Sequence, residues 1–229
     1  MIYCYIIELV LRLEDLIMLI DMHLHESKYS SDSNITLQQI IDKAKEIGLD
    51  GICITDHDNN FIRDEIEEYS KKNNFLIIAG AEILTKEGDI LTFARDRICI
   101  PDSTISTHEL MDFIDEKKGI GVSAHPYRNN NRGLGEYIRK VHSRLAGVES
   151  FNGSTFTHHN LQAFAIGKEF NIPCTGGSDA HVIEKVGVFA TYFKDTIRDE
   201  IDFIEAVKSK QFFPAMLKEK KYEILNMFE

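Results

Sequence analysis

Short apolar runs alternate with amphipathic segments along most of the chain. The apolar runs have the length of buried strands, and they lie at 19–25, 52–55, 75–83, 89–94, 119–123, 147–151, 174–178 and 187–193. The segments with helical spacing lie at 36–47, 61–72, 107–117, 135–142, 157–170 and 198–208, and a charged tail follows. Strands that alternate with helices are typical of parallel sheets with right-handed crossovers, so the pattern predicts an α/β fold.

The pattern also predicts one domain, over residues 18–229, because no repeat, low-complexity tract or flexible linker divides it. If the parallel strands close into a barrel, their carboxyl ends open onto one face, where the active sites of such barrels lie. Residues 1–17 begin like a signal peptide. However, Glu8, Arg12, Glu14 and Asp15 interrupt the apolar run and no cleavage site follows, so we interpret this stretch as an N-terminal extension.

Composition and charge exclude some classes of partner. The formal net charge of -11 argues against a broad surface for nucleic-acid backbones, although bound metal ions would reverse the local field for a small anionic substrate. The apolar stretches are too short to span a bilayer, so no membrane partner is expected. The four cysteines form no C-x-x-C pair and three lie in strand-like runs, which favours buried, reduced thiols in a cytoplasmic protein.

Histidines and carboxylates end the apolar runs at four places. In Asp21-Met22-His23-Leu24-His25, the two histidines project to the same face of a strand, within reach of one metal ion. The same chemistry returns in the sequences Thr55-Asp56-His57-Asp58, Ser123-Ala124-His125-Pro126 and Ser178-Asp179-Ala180-His181. A lone His-x-His pair is weak support for metal binding, but four such strand ends are hard to explain without a metal site.

Other carboxylates have competing interpretations. Glu82 follows apolar residues of a strand, where an unpaired carboxylate would be costly, so metal binding is favoured over a buried ion pair. Asp32 could equally cap the helix that follows it, and Asp89 could simply be a turn residue. Of the two aspartates that flank His57, one is expected to orient its ring and the other to shape the turn.

Together the four motifs resemble those of the polymerase and histidinol phosphatase (PHP) family of metal-dependent phosphoesterases, from Leu19 to about Phe213. The resemblance implies a distorted (β/α)7 TIM-like barrel that holds two to three divalent ions of manganese, iron or zinc at its mouth. Carried over by position, the ligands would be His23, His25, Glu82 and Asp179 for one ion, Glu82, His125 and Asp89 for a second, and Asp32, His57 and His181 for a third. Many members have a histidine in place of Asp89, which favours manganese or iron here.

The resemblance further implies hydrolysis of a phosphate ester of a small metabolite or nucleotide by a metal-activated water, without a protein nucleophile. A nuclease that trims single-stranded RNA or DNA ends would share this chemistry. The acidic balance and the absence of tryptophan speak against the basic, aromatic-lined track that such an enzyme needs. A non-catalytic PHP-like module is a third alternative, but it predicts eroded ligands, and every ligand position is occupied.

Phosphate that the metal ions do not neutralise would meet arginine in the loop that follows His125. The planar guanidinium can bind two phosphate oxygens at once. Arg128, three residues after His125, is the first candidate, whereas a solvated loop is the favoured interpretation of Arg132. Asn152, which ends the apolar run 147–151, is a further candidate for contact with the substrate.

Overall fold

The computed structural model describes residues 18–100 and 105–225, so the predicted extension over residues 1–17 lies outside the described part. The strands are β1 Met18–Leu24, β2 Gly51–Ile54, β3 Leu76–Ala79, β4 Ala81–Leu84, β5 Asp89–Phe93, β6 Ile120–Ser123, β7 Gly147–Asn152, β8 Cys174–Gly177, β9 Phe189–Phe193, β10 Phe212–Lys218 and β11 Lys221–Ile224. The α-helices are α1 Leu37–Glu46, α2 Arg63–Asn73, α3 Thr107–Glu116, α4 Ile138–Val141, α5 Thr157–Glu169 and α6 Glu200–Ser209. Within these ranges no helix combines the length and the apolar character needed to cross a membrane.

The predicted helices are confirmed to within a few residues, and local capping explains where two of them begin. At α1, the Thr36 hydroxyl accepts from the backbone of Gln39, whose side chain accepts in return from the Thr36 N–H. Ser106 and Glu109 form the same reciprocal pair at α3. Such capping boxes satisfy N–H groups that have no partner within the helix. Thr36 therefore caps α1, and Asp32 is free for another role.

The strands form two sheets rather than one closed barrel. Their orders are β11-β10-β9-β1-β2-β3 and β4-β5-β6-β7-β8. The β1–β2–β3 and β6–β7–β8 pairs are parallel, as predicted, but the remaining pairs are antiparallel. The prediction of wholly parallel strands is wrong because turns such as 85–88 between β4 and β5 leave no room for the helical crossover that parallel pairing requires. The predicted barrel closure is not confirmed.

Two apolar or charged stretches also fold differently from their prediction. The run 75–83 is split into β3 and β4 at Gly80, where an added Cβ would lie 2.5 Å from the Phe93 ring. The charged tail instead forms the antiparallel strands β10 and β11. Glu219 and Lys220 between them both have positive φ, as a tight hairpin turn of matching twist requires. Of the cysteines, Cys53 and Cys174 are buried as predicted, whereas Cys99 is exposed.

The two sheets meet where β1 lies beside β8. The N–H of Asp179, just after β8, donates to the carbonyl of His23 at 2.7 Å, and the N–H of His25 donates to Ala180 at 3.2 Å. Further down, Gly176 of β8 donates to the Thr191 hydroxyl of β9, which donates back to the Gly176 carbonyl. The carboxyl ends of β1 and β8 therefore lie together, although they belong to different sheets.

We predict that Gly176→Ala destabilises the fold. A Cβ at Gly176 would lie 2.5 Å from the carbonyl oxygen of Ala190, so the two sheets would have to separate. The expected cost is about 1–3 kcal/mol, as for other overpacked sites, measured by urea unfolding. Gly147→Ala on β7 is the matched control, since its Cβ would meet neighbours only at 3.4 Å or more and should be tolerated. Equal stability of the two variants would contradict the prediction.

Candidate metal centre

Strand β1 places two histidines on one buried face. Met22 and Leu24 alternate with His23 and His25 and pack into the apolar core, and all four side chains are fully buried. The histidine Nε2 atoms lie 3.0 Å apart. The two-residue period of a strand thus directs both imidazoles to one point.

Among the described residues, donor atoms from several strand ends form three overlapping groups that could each hold a metal ion. The groups are His23, His25 and Asp179; His23, Glu82 and His125; and His25, His57 and His181, with the donor atoms of each group within 4.8 Å of one another. Glu82 lies between groups. Its Oε1 is 2.7 Å from His125 Nε2 and its Oε2 is 3.0 Å from His57 Nδ1. This carboxylate therefore has the position of a bridging ligand.

Asp32 lies at the outer side of this cluster. Its Oδ2 is 3.2 Å from His57 Nε2 and 3.3 Å from His181 Nε2. Unlike the buried donors, its side chain is more than half exposed. Asp32 thus joins the two histidines that the family resemblance grouped with it, at the solvent side of the site.

Carboxylates are concentrated in the buried part of the site. In the described structure, Glu82, Asp89, Glu149 and Asp179 are buried here. Arg128 pairs with Asp179, and Arg132 pairs with Asp89 and approaches Glu82. Burial alone would lower the pKa of His23, yet the charges of Asp179, Glu149 and Glu82 raise it well above its usual value. Burial lowers the pKa of His25 to about 4, which leaves a neutral imidazole with a free lone pair. Imidazole nitrogens and carboxylate oxygens are donors that divalent transition metals accept, so the residue types of this donor set fit such ions.

Two donors have strained backbones. His125 has φ 25° and Asp179 has φ 50°, in the left-handed region that residues other than glycine rarely occupy. Backbone contacts hold both of them: the His125 N–H donates to Glu149 at 2.8 Å, and the Asp179 N–H donates to His23. Strain of this kind concentrates at functional sites, where surrounding structure fixes the geometry.

Glu149, in the middle of β7, is a site residue that the sequence reasoning missed. Its Oε1 is 3.0 Å from His23 Nδ1, and its Oε2 accepts from the backbone of His125 and from Asn152 Nδ2. It thereby fixes the ring of one donor and the backbone of another, as supporting carboxylates do around metal-binding histidines. A signal existed, because Glu149 is a carboxylate inside an apolar strand, which is the same argument that identified Glu82.

The prediction that an aspartate beside His57 orients its ring is wrong. Asp56 accepts instead from the Ser30 hydroxyl at 2.7 Å, and the same Ser30 oxygen lies 3.2 Å from His25 Nδ1. Asp58 accepts from a backbone N–H of β4. Asp56 therefore supports His25 and not His57. It does so through the hydroxyl of Ser30, which is distant from Asp56 in the sequence.

Arg128 and Asn152 meet beside Asp179. Arg128 Nη2 donates to Asn152 Oδ1 at 2.7 Å and contacts the Asp179 carboxylate, while its Nε donates to Thr155 at 3.0 Å. Asn152 in turn donates to Asp179 at 3.2 Å and to Glu149 at 2.9 Å. Both candidates for substrate contact thus lie next to the donor cluster, and they are linked to each other.

Arg132 is not the solvated loop residue that the sequence favoured. Its Nε donates to Asp89 Oδ2 at 2.7 Å and its Nη2 to Oδ1 at 3.2 Å, and Nη2 is 3.9 Å from Glu82. Asp89 is fully buried, at the start of β5. Burial and the neighbouring Glu82 charge raise the pKa of Asp89 to about 7, against the lowering effect of Arg132.

A cleft of about 140 Å³ opens above the donors. Its lining residues are Asp32, His57, Glu82, Arg128, Asn130, Arg132, Asp179 and His181. The cleft is small beside the ~300–1,000 Å³ typical of pockets that enclose a whole drug-sized ligand. It therefore suits one small polar group, with any larger part of a ligand outside.

Known proteins resemble this chain in sequence and in fold. A family model described as PHP-associated matches residues 157–212. An uncharacterized protein of Methanocaldococcus jannaschii is 32% identical over an alignment of 145 residues, and the alignment covers 58% of this chain and 80% of that protein. A proposed metal-dependent phosphoesterase from Bifidobacterium adolescentis superposes with a TM-score of 0.62 at 18% identity, over 82% of this chain and 95% of its own.

A nuclease shares the fold as well. The lesion-specific endonuclease of Pyrococcus furiosus superposes with a TM-score of 0.66 at 17% identity, over 84% of this chain and 56% of the endonuclease chain. At such identities the likeness to solved structures demonstrates a common fold, and the chemistry must be argued from the residues of the site.

We predict that Glu149→Gln weakens metal binding by roughly ten- to hundredfold. The neutral amide removes the negative charge that holds His23. Its NH2 group would also replace one of the carboxylate oxygens, which lie against His23 Nδ1, the His125 N–H and the Asn152 side chain. Affinity is measured by competition with a chromophoric chelator for manganese. Glu169→Gln is the control, because Glu169 is an exposed carboxylate that pairs with Arg139. If the Glu149 variant binds manganese as tightly as the parent, its supporting role is refuted.

Proposed function

The chain belongs to the PHP family of metal-dependent phosphoesterases, and from that we propose that it hydrolyses a phosphate ester of a small metabolite or nucleotide. The observation that carries the proposal is the convergence of three donor groups beneath a cleft that two arginines line. Divalent ions held there would supply Lewis-acid activation of the phosphoryl group and of an attacking water.

The residues proposed to hold these ions follow the donor groups. One ion would take His23, His25 and Asp179, a second His23 or Glu82 with His125, and a third His57 and His181 with Asp32 nearby. Mixed imidazole and carboxylate donors suit manganese, iron and zinc. Glu82 would serve neighbouring ions through its two oxygens.

Arg128 and Asn152 are the side chains proposed to orient the phosphate. Arg128 is held by Thr155 and Asn152, so its guanidinium is fixed at the edge of the cleft before any substrate binds. Fixed donors lose little side-chain entropy when they bind an anion. Their place beside Asp179 would direct a phosphoryl group toward the donor cluster.

Serine, threonine and cysteine are absent from the lining of the cleft in the described structure, and the carboxylates and histidines that line it are the proposed metal ligands. This supports attack by water rather than by a protein group. Cys53 and Cys174 lie in the apolar core as free thiols. Such thiols suit the reducing cytoplasm, where we place the protein.

Nuclease activity on single-stranded ends is the second candidate, and the shared fold of the Pyrococcus furiosus endonuclease is the observation that favours it. The small cleft and the net charge of -11 favour a small substrate instead. A screen of the manganese-loaded protein against phosphomonoesters, nucleotides and short oligonucleotides separates the two. Turnover confined to oligonucleotides would establish the nuclease.

We predict that the manganese-reconstituted protein carries about two to three ions per chain and hydrolyses phosphate esters in a chelator-sensitive manner. His23→Ala and Asp179→Ala should each lose at least one ion, because His23 belongs to two of the donor groups and Asp179 supplies the carboxylate of one. Elemental analysis and phosphate release are measured on the same samples. His108→Ala is the control, since that histidine is exposed on α3. Less than one ion per chain, or chelator-resistant turnover, would contradict the proposal.

We predict that Arg128→Ala leaves metal content unchanged and lowers kcat/KM by about ten- to hundredfold. The loss of a charge-assisted hydrogen bond costs roughly 1.5–3 kcal/mol, which corresponds to that range. Arg128→Lys should recover only part of the activity, because an ammonium cannot reproduce the fork. Arg144→Ala is the control, since Arg144 pairs with Asp112 and Asp115 away from the site. Parental activity in Arg128→Ala would mean that phosphate is recognised by other residues.

A further inference from the structure

Asp89 differs from the other expected ligands because both of its oxygens accept from a single arginine. Oδ2 accepts from Arg132 Nε at 2.7 Å and Oδ1 from Nη2 at 3.2 Å, which is the bidentate geometry of a strong arginine–carboxylate pair. The Asp89 N–H also donates to the Arg132 carbonyl at 2.6 Å. Three hydrogen bonds thus join two residues that are 43 positions apart in the chain.

The backbone fixes this pair independently of the side chains. Gly88, immediately before Asp89, has φ 146°, and an added Cβ would lie 2.5 Å from the Leu134 nitrogen and 2.6 Å from the Gly133 carbonyl carbon. The loop that carries Arg132 is therefore packed directly against the start of β5. Its place at the site is built into the fold, unlike that of a mobile surface arginine.

The three donor groups found among the described residues form without Asp89. Its Oδ2 lies 3.7 Å from His125 Nε2. As a ligand, Asp89 would have to share its oxygens between the ion and the Arg132 fork. The ion would then lie close to a guanidinium of the same charge, and this repulsion favours the pair with Arg132 alone.

Within residues 18–100 and 105–225, one edge of the Arg132 guanidinium has no hydrogen-bond partner. A guanidinium carries five N–H donors, and the fork uses only Nε and one side of Nη2. The side chain is 34% exposed and lines the same cleft as Glu82, Asp179 and Arg128, whereas Asp89 is fully buried behind it. The carboxylate therefore holds the inner edge of the guanidinium and leaves its outer edge for an anion.

We propose that Asp89 is a positioning residue rather than a metal ligand: it fixes Arg132 as a permanent cation at the mouth of the site, with its outer edge toward the phosphoryl group of the substrate. The proposal rests on the proposed function for the identity of the anion. The positive charge beside Asp89 then comes from Arg132. The family resemblance had implied instead that Asp89 ligates the second metal ion.

The test uses Asp89→Asn, Arg132→Met and the double variant, all loaded with manganese, with Arg144→Met as the control. Elemental analysis gives the ions per chain, and calorimetric titration with inorganic phosphate gives the affinity. Both single variants should keep the ion content of the parent and bind phosphate about ten- to hundredfold more weakly. The double variant should bind no more weakly than Arg132→Met, because Asp89 acts through Arg132.

Kinetics supply a second readout that a merely structural role would not give. In both single variants KM for a phosphomonoester should rise by a larger factor than kcat falls, and Arg132→Lys should restore part of the affinity. Loss of an ion in Asp89→Asn would overturn the proposal, and so would parental phosphate affinity in Arg132→Met. If Asp89→Asn does not fold, Arg132→Met and Arg132→Lys decide through the phosphate titration.

The proposed function and this inference fail in different ways. A parent protein that hydrolyses no phosphate ester contradicts the proposed function, while the phosphate titration still judges the role of Arg132. A parent that hydrolyses esters, with an Arg132→Met variant equal to it in phosphate affinity, refutes the inference alone.

Discussion

Buried negative charge at the carboxyl ends of the strands is the constraint on which the site depends. An ionised carboxylate taken out of water costs several kcal/mol unless it is paired or hydrogen-bonded. Glu82 and Asp179 are nearly inaccessible to solvent, and imidazoles surround both. Arg128 and Arg132 balance part of the charge from the rim, so the centre between the histidines is where a cation stabilises the folded chain most.

The supporting contacts serve the same balance. Glu149 fixes His23, and the Asp56–Ser30 pair fixes His25, so neither imidazole is free to turn away from the carboxylates. Because the rings are held by their outer nitrogens, the inner nitrogens stay directed into the site. The strained backbone of Asp179 is consistent with this, since relaxing it would break the contact of its N–H with β1.

In a wholly parallel sheet, only residues at the strand ends would reach the site. The antiparallel pair of β4 and β5 also brings a residue from within a strand to it. Strands β4 and β5 are antiparallel neighbours, with Leu84 opposite Asp89 and Glu82 two residues before Leu84. Residues opposite each other and residues two apart share a face, so both acids point to the same side. The hairpin thus brings a residue from the middle of one strand and one from the start of the next to the same site.

The sequence by itself predicted the helices, most of the strands and the histidine and carboxylate motifs that lie together in the structure. Hydrophobic periodicity and capping residues are local, so α1 began where Thr36 and the apolar face of the helix indicated. The grouping of the strand-end histidines could be predicted because the carboxyl ends of parallel strands lie on the same side of the fold. Glu149 was readable by the same logic as Glu82. The sequence motifs showed that the site contains several carboxylates, but they did not show which groups pair with each of them.

Only the tertiary structure decided which polar groups pair. The antiparallel strands, the Asp56 contact with Ser30 and the Arg132 fork on Asp89 join residues that are distant in the chain. Such pairings depend on how loops dock against strands, as Gly88 shows by admitting the backbone of Leu134. Hydrophobic periodicity does not predict how a loop packs against a strand. It indicates which face of an element is buried, but not which residue lies against that face.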